Sequence, residues 1–145
     1  MIAVDTNILV YAHRKDSAWF EIAVPAIRSL TDSIIPWAIP WPCLHEFIGV
    51  ATHPRVFTPP SALEETVRQI EFWMESPSLR IIGESPEHWR ELCSLAGAGK
   101  IQGPRIHDAR IAAICLGHGV REFWTVDRDF SRFPAVKVVN PLVRR

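Results

Sequence analysis

The chain has 145 residues, 48% hydrophobic and 22% charged, which is typical of a globular domain and excludes a disordered segment. Sixteen basic side chains balance sixteen acidic ones, so a nucleic-acid partner would need a local basic patch, because net charge supplies no long-range attraction. The length predicts a single domain over 1–145, and no apolar run is long enough to span a membrane.

The three cysteines, Cys43, Cys93 and Cys115, are odd in number, widely spaced and placed in apolar helical patterns. This usage predicts reduced core side chains rather than a disulfide framework. The apolar start of the chain is interrupted by Asp5 and has no basic segment before it, unlike a secretory signal. We therefore expect a cytoplasmic protein without a membrane segment.

Short apolar runs alternate with amphipathic segments in the first half of the chain, which predicts strands and helices in turn. Pro25 lies inside one predicted helix, so we expect a kink or break there. The predicted elements are a strand at 2–4, a helix capped by Asp5-Thr6-Asn7 and running to about Arg14, a helix over 19–30, an extended segment that begins at Ser33 and ends in the Pro-rich run 36–42, and a helix with Pro42 in its first turn.

The second half continues the alternation, which indicates a parallel sheet with helices on both faces. In the helix after Ser85, we expect Trp89, Leu92, Cys93 and Ala96 to face the core. The predicted elements are a loop over 52–60, a helix from the capping box 61–64 to about Met74, a strand at 79–82, a helix from Ser85, a glycine-rich loop over 97–104, a helix from His107 to Gly117, and strands at 123–126 and 136–139.

Four acidic side chains occupy comparable places in this pattern. Asp5 and Asp127 follow strands, Asp108 opens a helix after a loop, and Glu46 lies one turn into a helix. In an open parallel sheet, the carboxyl ends of the strands and the helix N-termini above them converge on one crevice. The four carboxylates are therefore expected to meet in one pocket at that edge.

Such crowding is costly without a cation, because carboxylates a few ångströms apart raise one another's pKa. The candidate ligands are all oxygens, and no Cys or His stands at the spacing of a zinc site. Oxygen ligands favour Mg²⁺ or Mn²⁺, which keep water in their remaining coordination positions. A site of this kind suits hydrolysis at a phosphate.

Each acidic residue taken alone has a structural explanation. Asp5 or Asp108 could be a helix N-cap, Asp127 a turn residue and Glu46 a solvated helix residue. The combination favours a shared functional site, because all three residues stand next to apolar sequence. Asp5 ends an apolar strand, Glu46 is embedded in an apolar segment, and Asp108 heads the most apolar helix. We expect Asp5, Glu46 and Asp108 to lie in buried surroundings.

Taken together, these motifs resemble the PIN-domain ribonucleases, most closely the VapC-type toxins of bacterial toxin–antitoxin modules. The resemblance covers essentially the whole chain, and its motifs stand in the family's order. The segments that carry it are Asp5-Thr6-Asn7, Glu46 on its helix, His107-Asp108-Ala109 followed by Ile111-Ala112-Ala113, and Thr125-Val126-Asp127-Arg128-Asp129-Phe130.

The resemblance implies a small three-layer α/β/α domain with a central parallel sheet of about five strands. It also implies Mg²⁺ or Mn²⁺ and endonucleolytic cleavage of RNA by metal-activated water, which leaves a 5′-phosphate and a 3′-hydroxyl. Carried over position by position, Asp5 and Asp108 would be the principal metal ligands and Asp127 a further ligand. Glu46 would be a ligand or a base that orients the water.

Three further positions match polar residues that support the acidic cluster in the family, namely Asn7, Thr125 and Asp129. The resemblance also implies a homodimer and a cognate antitoxin protein whose tail reaches the active site, often with a basic side chain. The Pro-rich segment 36–42 is unusual for the family.

Basic side chains near the predicted crevice could bind RNA phosphates or could be solvated surface charges. Trp37, Trp41 or Phe130 could stack an unpaired base, whereas spacing favours core positions for Trp19, Trp73, Trp89 and Trp124. The basic candidates are Arg14, Lys15, Lys100, Arg105, Arg110, Arg128 and Arg132.

Two other functions remain open at this point. A haloacid-dehalogenase-type phosphohydrolase also has an Asp after its first strand, but its chemistry requires a second Asp two residues later, where this chain has Asn7. A non-catalytic PIN-like domain that only binds RNA or a protein would tolerate loss of the acidic residues, yet all four positions are filled.

Overall fold

A computed structural model describes residues 1–143 and shows a five-stranded sheet in the order β3-β2-β1-β4-β5. Every neighbouring pair of strands is parallel, as predicted. All four residues of β2 are buried, so both faces of the sheet are covered. The strands are β1 (Ile2–Val4), β2 (Trp37–Pro40), β3 (Leu79–Ile82), β4 (Glu122–Trp124) and β5 (Lys137–Val139).

Six α-helices connect and flank these strands, which confirms the α/β fold class. A short 3-10 helix, Gly103–Arg105, lies directly before the last α-helix, and a second one, Arg128–Arg132, follows β4. Within residues 1–143, no helix is both long and apolar enough to cross a membrane. The helices are α1 (Thr6–His13), α2 (Phe20–Thr31), α3 (Trp41–Ala51), α4 (Leu63–Met74), α5 (His88–Ala98) and α6 (Ile106–Gly117).

The strand order creates a switch point between β1 and β4. The chain moves from β1 outward to β2 and β3, then returns to the other side of β1 with β4 and β5. The loops that leave the carboxyl ends of β1 and β4 therefore diverge, and a crevice opens between them. Ligand sites of open α/β sheets occur at such a point.

The second strand starts later than predicted. Ile34, where the extended segment was expected, is 96% exposed, whereas Trp37 to Pro40 are buried in the sheet. Pairing with β1 involves Trp37 and Ala38 only, so the missing N–H of Pro40 falls beyond that ladder. The indole N–H of Trp37 donates to Ser76 Oγ at 3.2 Å, which satisfies the one polar atom of this buried side chain.

Helix α5 is much more exposed than its apolar spacing predicted. No residue of α5 is buried, and Trp89 is 74% exposed. The core positions expected for Trp89 and Cys93 are therefore wrong, and Trp19 is exposed as well. By contrast, Trp73 is buried and Trp124 is half-buried. The helix packs mainly on α6, and its half-buried Leu92 and Leu95 contact the core, whereas Trp89 and Cys93 stay exposed.

Two helix predictions also need correction. Helix α2 continues through Pro25 without a break, and Pro25 is exposed, so solvent can reach the carbonyl that its missing N–H leaves unbonded. The cap of α4 is at Ala62, whose N–H donates to Glu65 Oε1 at 3.3 Å. Ser61, the predicted cap, is buried and hydrogen-bonds to His13 and Arg14 instead.

The aromatic centre of the core gives a direct test of the packing. Phe123 on β4 is fully buried, and its ring centroid lies 4.8 Å from that of Phe130. We expect Phe123→Ala to lower the free energy of unfolding by about 3–5 kcal/mol, because a cavity replaces the ring. Phe72→Ala, which removes a ring that is 64% exposed on α4, should change it by less than about 0.5 kcal/mol. Urea unfolding measures both, and equal effects would contradict this account of the core.

Candidate active site at the carboxyl edge of the sheet

All four predicted carboxylates line one cleft at the switch point. Its volume is about 330 Å³, and Asp5, Glu46, Asp108 and Asp127 are among its lining residues. Each comes from a different element: Asp5 follows β1, Glu46 lies on α3, Asp108 on α6 and Asp127 after β4. The fold therefore brings together the set that the sequence predicted.

Asp5 is the most buried member of the cluster, with 6% of its surface exposed. Its Oδ1 accepts a hydrogen bond from the Thr6 N–H at 2.7 Å and a weak one from the Cys43 thiol at 3.5 Å. Its Oδ2 accepts from the Thr125 hydroxyl at 2.7 Å and from the Asn7 amide at 3.3 Å. Asp5 thus caps α1 and is also held from the neighbouring strand.

Asn7 and Thr125 extend this contact into a network between the two central strands. The Asn7 amide donates to Thr125 Oγ1 at 3.0 Å, and the Asn7 carbonyl accepts from the Val126 N–H at 3.3 Å. Thr125 Oγ1 also accepts from the Asp127 N–H at 3.0 Å. The two predicted supporting residues therefore fix the start of α1 against the turn that carries Asp127.

Glu46 reaches the cleft from a more exposed position than expected. It lies on the solvent side of α3, so the prediction of buried surroundings is wrong for this residue. Its Oε2 is 3.2 Å from the Thr6 hydroxyl, which also lies 3.1 Å from the Cys43 carbonyl. Thr6, which the sequence analysis treated only as part of the cap, thus orients Glu46 toward Asp5.

Asp108 and Asp127 complete the acidic side of the cleft. Asp108 is the third residue of α6, and the cap position belongs to Arg105, so helix capping does not explain Asp108. Asp127 Oδ1 accepts from the Asp129 N–H at 2.9 Å, which is the turn role considered from sequence. The Asp129 carboxylate is not part of the cleft lining and pairs with Arg105 at 2.8 Å. That ion pair joins the turn after β4 to the start of α6.

Burial and mutual repulsion shift the titration of this cluster. Burial raises the pKa of Asp5 to about 6, and the negative charge of Glu46 adds to this rise. Hydrogen bonds from Thr125 and Thr6 lower the pKa but do not outweigh the burial. Burial also raises the pKa of Asp108, with further contributions from the carboxylates of Asp127, Asp129 and Glu46 that exceed the opposing effect of Arg105. The site therefore holds negative charge at a cost that a cation would relieve.

The donor chemistry of the cleft fits a hard divalent cation. Within residues 1–143, no three His, Cys, Asp or Glu side chains already converge as a metal site. The cleft nevertheless offers four carboxylates, and its lining contains no His, Cys, Lys or Arg among the described residues. Oxygen ligands without nitrogen or sulfur suit Mg²⁺ or Mn²⁺ rather than zinc.

None of the predicted RNA-binding residues lines the cleft. Arg110 pairs with Glu84 at 2.6 Å, and Arg14 pairs with Asp16 at 2.7 Å with only 12% of its side chain exposed. Lys100 lies in the turn after α5 with a φ of 50°. Arg128 is exposed next to Asp127 and forms no ion pair within the described part of the chain. Contact with RNA stays a prediction for all four.

The aromatic candidates are also corrected by the structure. Trp37 and Phe130 are buried and have no face open to a base, whereas Trp41 is exposed but does not line the cleft. The aromatic residues that do line its open part are Tyr11 and Phe57, which the sequence analysis missed. For Tyr11 a signal existed, because it stands four residues after Asn7 and so on the same face of α1.

Comparison with known proteins agrees with this geometry. Residues 2–136 match the family model described as the PIN domain. Among curated relatives, Ribonuclease VapC43 of Mycobacterium tuberculosis is 30% identical over 142 residues, which is 98% of this chain and 96% of the relative. The chain belongs to the PIN-domain family, in its VapC group. Ribonuclease VapC31 of the same organism is 30% identical over 141 residues and covers 97% of this chain and 99% of its own.

Solved structures share the fold of this VapC-type chain at low sequence identity. VapBC2 from Rickettsia felis, crystallised with a DNA fragment from its promoter, superposes with a TM-score of 0.69 at 22% identity, covering 97% of this chain and 98% of its own. Mycobacterium tuberculosis VapC20, described as a sarcin-ricin loop cleaving toxin, gives 0.67 at 14% identity, covering 90% and 93%. These likenesses support the PIN-like architecture.

The buried charge of Asp5 predicts a pH dependence of the metal-free protein. Because its pKa is raised from 3.8 to about 6, the folded state binds this proton more tightly than the unfolded state. As the pH rises from about 4 to 6, ionisation of Asp5 should therefore lower the free energy of unfolding by up to about 3 kcal/mol. Asp5→Asn removes the titration, so its stability relative to wild type should improve over the same range.

Urea unfolding in EDTA at pH 4 and pH 7 measures this difference. Comparing variant with wild type at each pH cancels the contributions of the other acidic groups. A difference that stays constant between the two pH values would contradict the raised pKa of Asp5.

Proposed function

We propose that this protein is a Mg²⁺-dependent endoribonuclease that acts as the toxin of a toxin–antitoxin pair. The observation that carries the proposal is that four carboxylates from four elements line one cleft, where burial and repulsion raise the pKa of Asp5 and Asp108. Relatives named as ribonucleases, matched over nearly the whole chain, support RNA as the substrate.

Asp5, Asp108 and Asp127 would hold the ion, and Glu46 would be a further ligand or would orient the attacking water. When bound, Mg²⁺ supplies a coordinated water of lowered pKa and neutralises charge on the scissile phosphate. Thr125 and Asn7 keep Asp5 in place, and Thr6 directs Glu46 toward it. Hydrolysis in this arrangement would leave a 5′-phosphate and a 3′-hydroxyl.

The haloacid-dehalogenase alternative is disfavoured by the role of Asn7. That chemistry needs a second carboxylate at this position, whereas the Asn7 amide donates hydrogen bonds to both Asp5 and Thr125. An Asp at position 7 would face the Asp5 carboxylate without this donor. The non-catalytic alternative remains a possible outcome of the cleavage test below.

A cognate antitoxin and a homodimer complete the proposal. Solved neighbours include VapBC-1 from nontypeable Haemophilus influenzae and FitAcB from Neisseria gonorrhoeae, with TM-scores of 0.67 each. Their fold likeness, together with membership of the VapC group, supports an antitoxin for this chain. Because such a partner would block the cleft, activity assays require protein shown to be free of it.

Cleavage of a labelled cellular RNA pool tests the function directly. Wild type should give discrete fragments with 5′-phosphate ends in Mg²⁺ and none in EDTA. Asp108→Asn should lower the rate more than about 100-fold while the protein stays folded, since even residues that only orient metal ligands cost about 10- to 100-fold. Asp32→Asn is the matched control, because it makes the same change at an exposed position after α2.

Two results would overturn the proposal. Unchanged cleavage by Asp108→Asn would refute the site assignment. RNA that is bound equally well in Mg²⁺ and EDTA and is never cleaved would identify a binding module instead of a nuclease.

The salt dependence of RNA binding tests the flanking cations separately. Each phosphate contact on a single strand contributes about 0.7 to the slope of log affinity against log salt. We expect Arg128→Ala to reduce the slope by about that amount, and Arg110→Ala to reduce it less, because Glu84 already neutralises Arg110. An unchanged slope for Arg128→Ala would place this residue off the RNA path.

A further inference from the structure

The cleft has a second wall that the carboxylate chemistry does not use. Besides the acidic residues, its lining contains aliphatic and aromatic side chains, among which Val56 is 53% exposed. We define this apolar wall by Tyr11, Val56 and Phe57. Val10, Val50 and Ile111 continue it toward the core. An apolar surface that opens directly onto a group of carboxylates points to a ligand with one charged end and one apolar end.

Helix α1 sets the distance between the two walls. Asn7, which binds the Asp5 carboxylate, and Tyr11 are one helical turn apart and line the same cleft. Four residues of helix rise about 6 Å. The start of α1 at the acidic cluster and Tyr11 are therefore about one helical turn apart along the helix axis.

Phe57 is held on the other side by Arg14. The Arg14 guanidinium lies 4.3 Å from the centroid of the Phe57 ring, donates to the Pro59 carbonyl at 3.0 Å, and is paired with Asp16. A cation over an aromatic face is attractive, so this contact fixes the ring within the loop after α3. Arg14, whose contact with RNA stays a prediction, thus holds part of the apolar wall in place.

We propose that the apolar wall binds the base of an unpaired RNA nucleotide whose phosphate lies at the carboxylates. The inference rests on the proposed function, because every phosphodiester carries a ribose and a base on each side. A strand cleaved at the acidic cluster must place a base within a few ångströms of it. Aromatic side chains bind unpaired bases by stacking, which is sequence-tolerant because every base has a π-face.

A fully paired RNA strand cannot offer a free base to the apolar wall. In a duplex, the bases are stacked on one another and are not available to Tyr11 and Phe57. A nucleotide in a loop or at an end can turn its base toward the wall at low cost. The apolar wall thus selects single-stranded RNA, whereas the carboxylates act on any phosphodiester that reaches them.

Tyr11 is the only tyrosine of the chain, which allows a direct test. Incorporation of 3-fluorotyrosine gives one ¹⁹F resonance at this position. In Mg²⁺, titration with adenosine 5′-monophosphate and uridine 5′-monophosphate should shift it saturably. Ribose 5-phosphate, which has the same phosphate but no base, should bind roughly 5- to 150-fold more weakly, the range that corresponds to loss of one stacked base.

Matched variants locate the effect on the wall. Phe57→Ala should weaken the binding of adenosine 5′-monophosphate, within about the same 5- to 150-fold range. Phe72→Ala removes an equal ring from the exposed face of α4, outside this cleft, and should leave both the shift and RNA cleavage unchanged. The comparison with ribose 5-phosphate uses the wild-type protein, so it shows whether binding depends on the base even if Phe57→Ala does not fold.

The outcomes separate this inference from the proposed function. RNA cleavage by wild type, together with equal binding of nucleotides and ribose 5-phosphate, would refute the base site alone. A base-dependent shift without RNA cleavage would refute the nuclease and leave the base site standing. A shift caused by N-acetylarginine amide and not by nucleotides would assign the wall to a protein tail and overturn the proposal.

Discussion

The hydrogen bond from the Thr125 hydroxyl to Asp5 Oδ2, at 2.7 Å, is the contact on which the site depends. A buried carboxylate is tolerated only when its oxygens are hydrogen-bonded, and Asp5 obtains its donors from both α1 and the end of β4. Satisfying this one charge therefore requires β1 and β4 to be neighbours in the correct register. The same requirement places Asp127, whose N–H also bonds to Thr125, beside the cleft. Fold and site are specified by one network.

This network does not remove the cost of the charge. The pKa of Asp5 stays raised, because burial and the Glu46 charge outweigh the hydrogen bonds that favour the ionised form. The rest of the domain must supply the missing stability, and the fully buried strand β2, the buried Ala3 and Val4 of β1 and the Phe123–Phe130 contact are where it does so. A locally unfavourable charge whose cost is offset by the stability of the core is typical of a functional site. In the proposed function this cost has a chemical use, since a bound cation would relieve the repulsion between the crowded carboxylates.

The sequence predicted the parts of the structure that depend on short spacing. Asp5 directly follows β1, Asp127 comes three residues after β4, and Asp108 lies in the first turn of the apolar helix α6, so their positions relative to the sheet follow from local pattern and the parallel order of strands. What failed depended on contacts distant in sequence. Trp89 is exposed because α5 turns only part of its apolar face, with Leu92 and Leu95, toward α6 and the core. The contacts of Arg14 are with Phe57 and Pro59, more than forty residues away. Periodicity shows which face of a helix is apolar, but it does not show how many neighbours that face meets.

The distribution of charge constrains how a polyanion could be bound here. Arg105 is paired with Asp129, Arg110 with Glu84 and Arg14 with Asp16, so the cations nearest the cleft are already partly neutralised. With zero net charge on the whole chain, long-range attraction is weak as well. In the proposed reaction, affinity for RNA must therefore arise mainly inside the cleft, from a cation held by the carboxylates and from the apolar wall, while the exposed Arg128 beside Asp127 can add a phosphate contact. Neither alone is sufficient: the cation attracts any phosphate, and the wall attracts any base. A site that requires both discriminates in favour of a phosphate with a free base next to it, which is the chemical description of an unpaired strand.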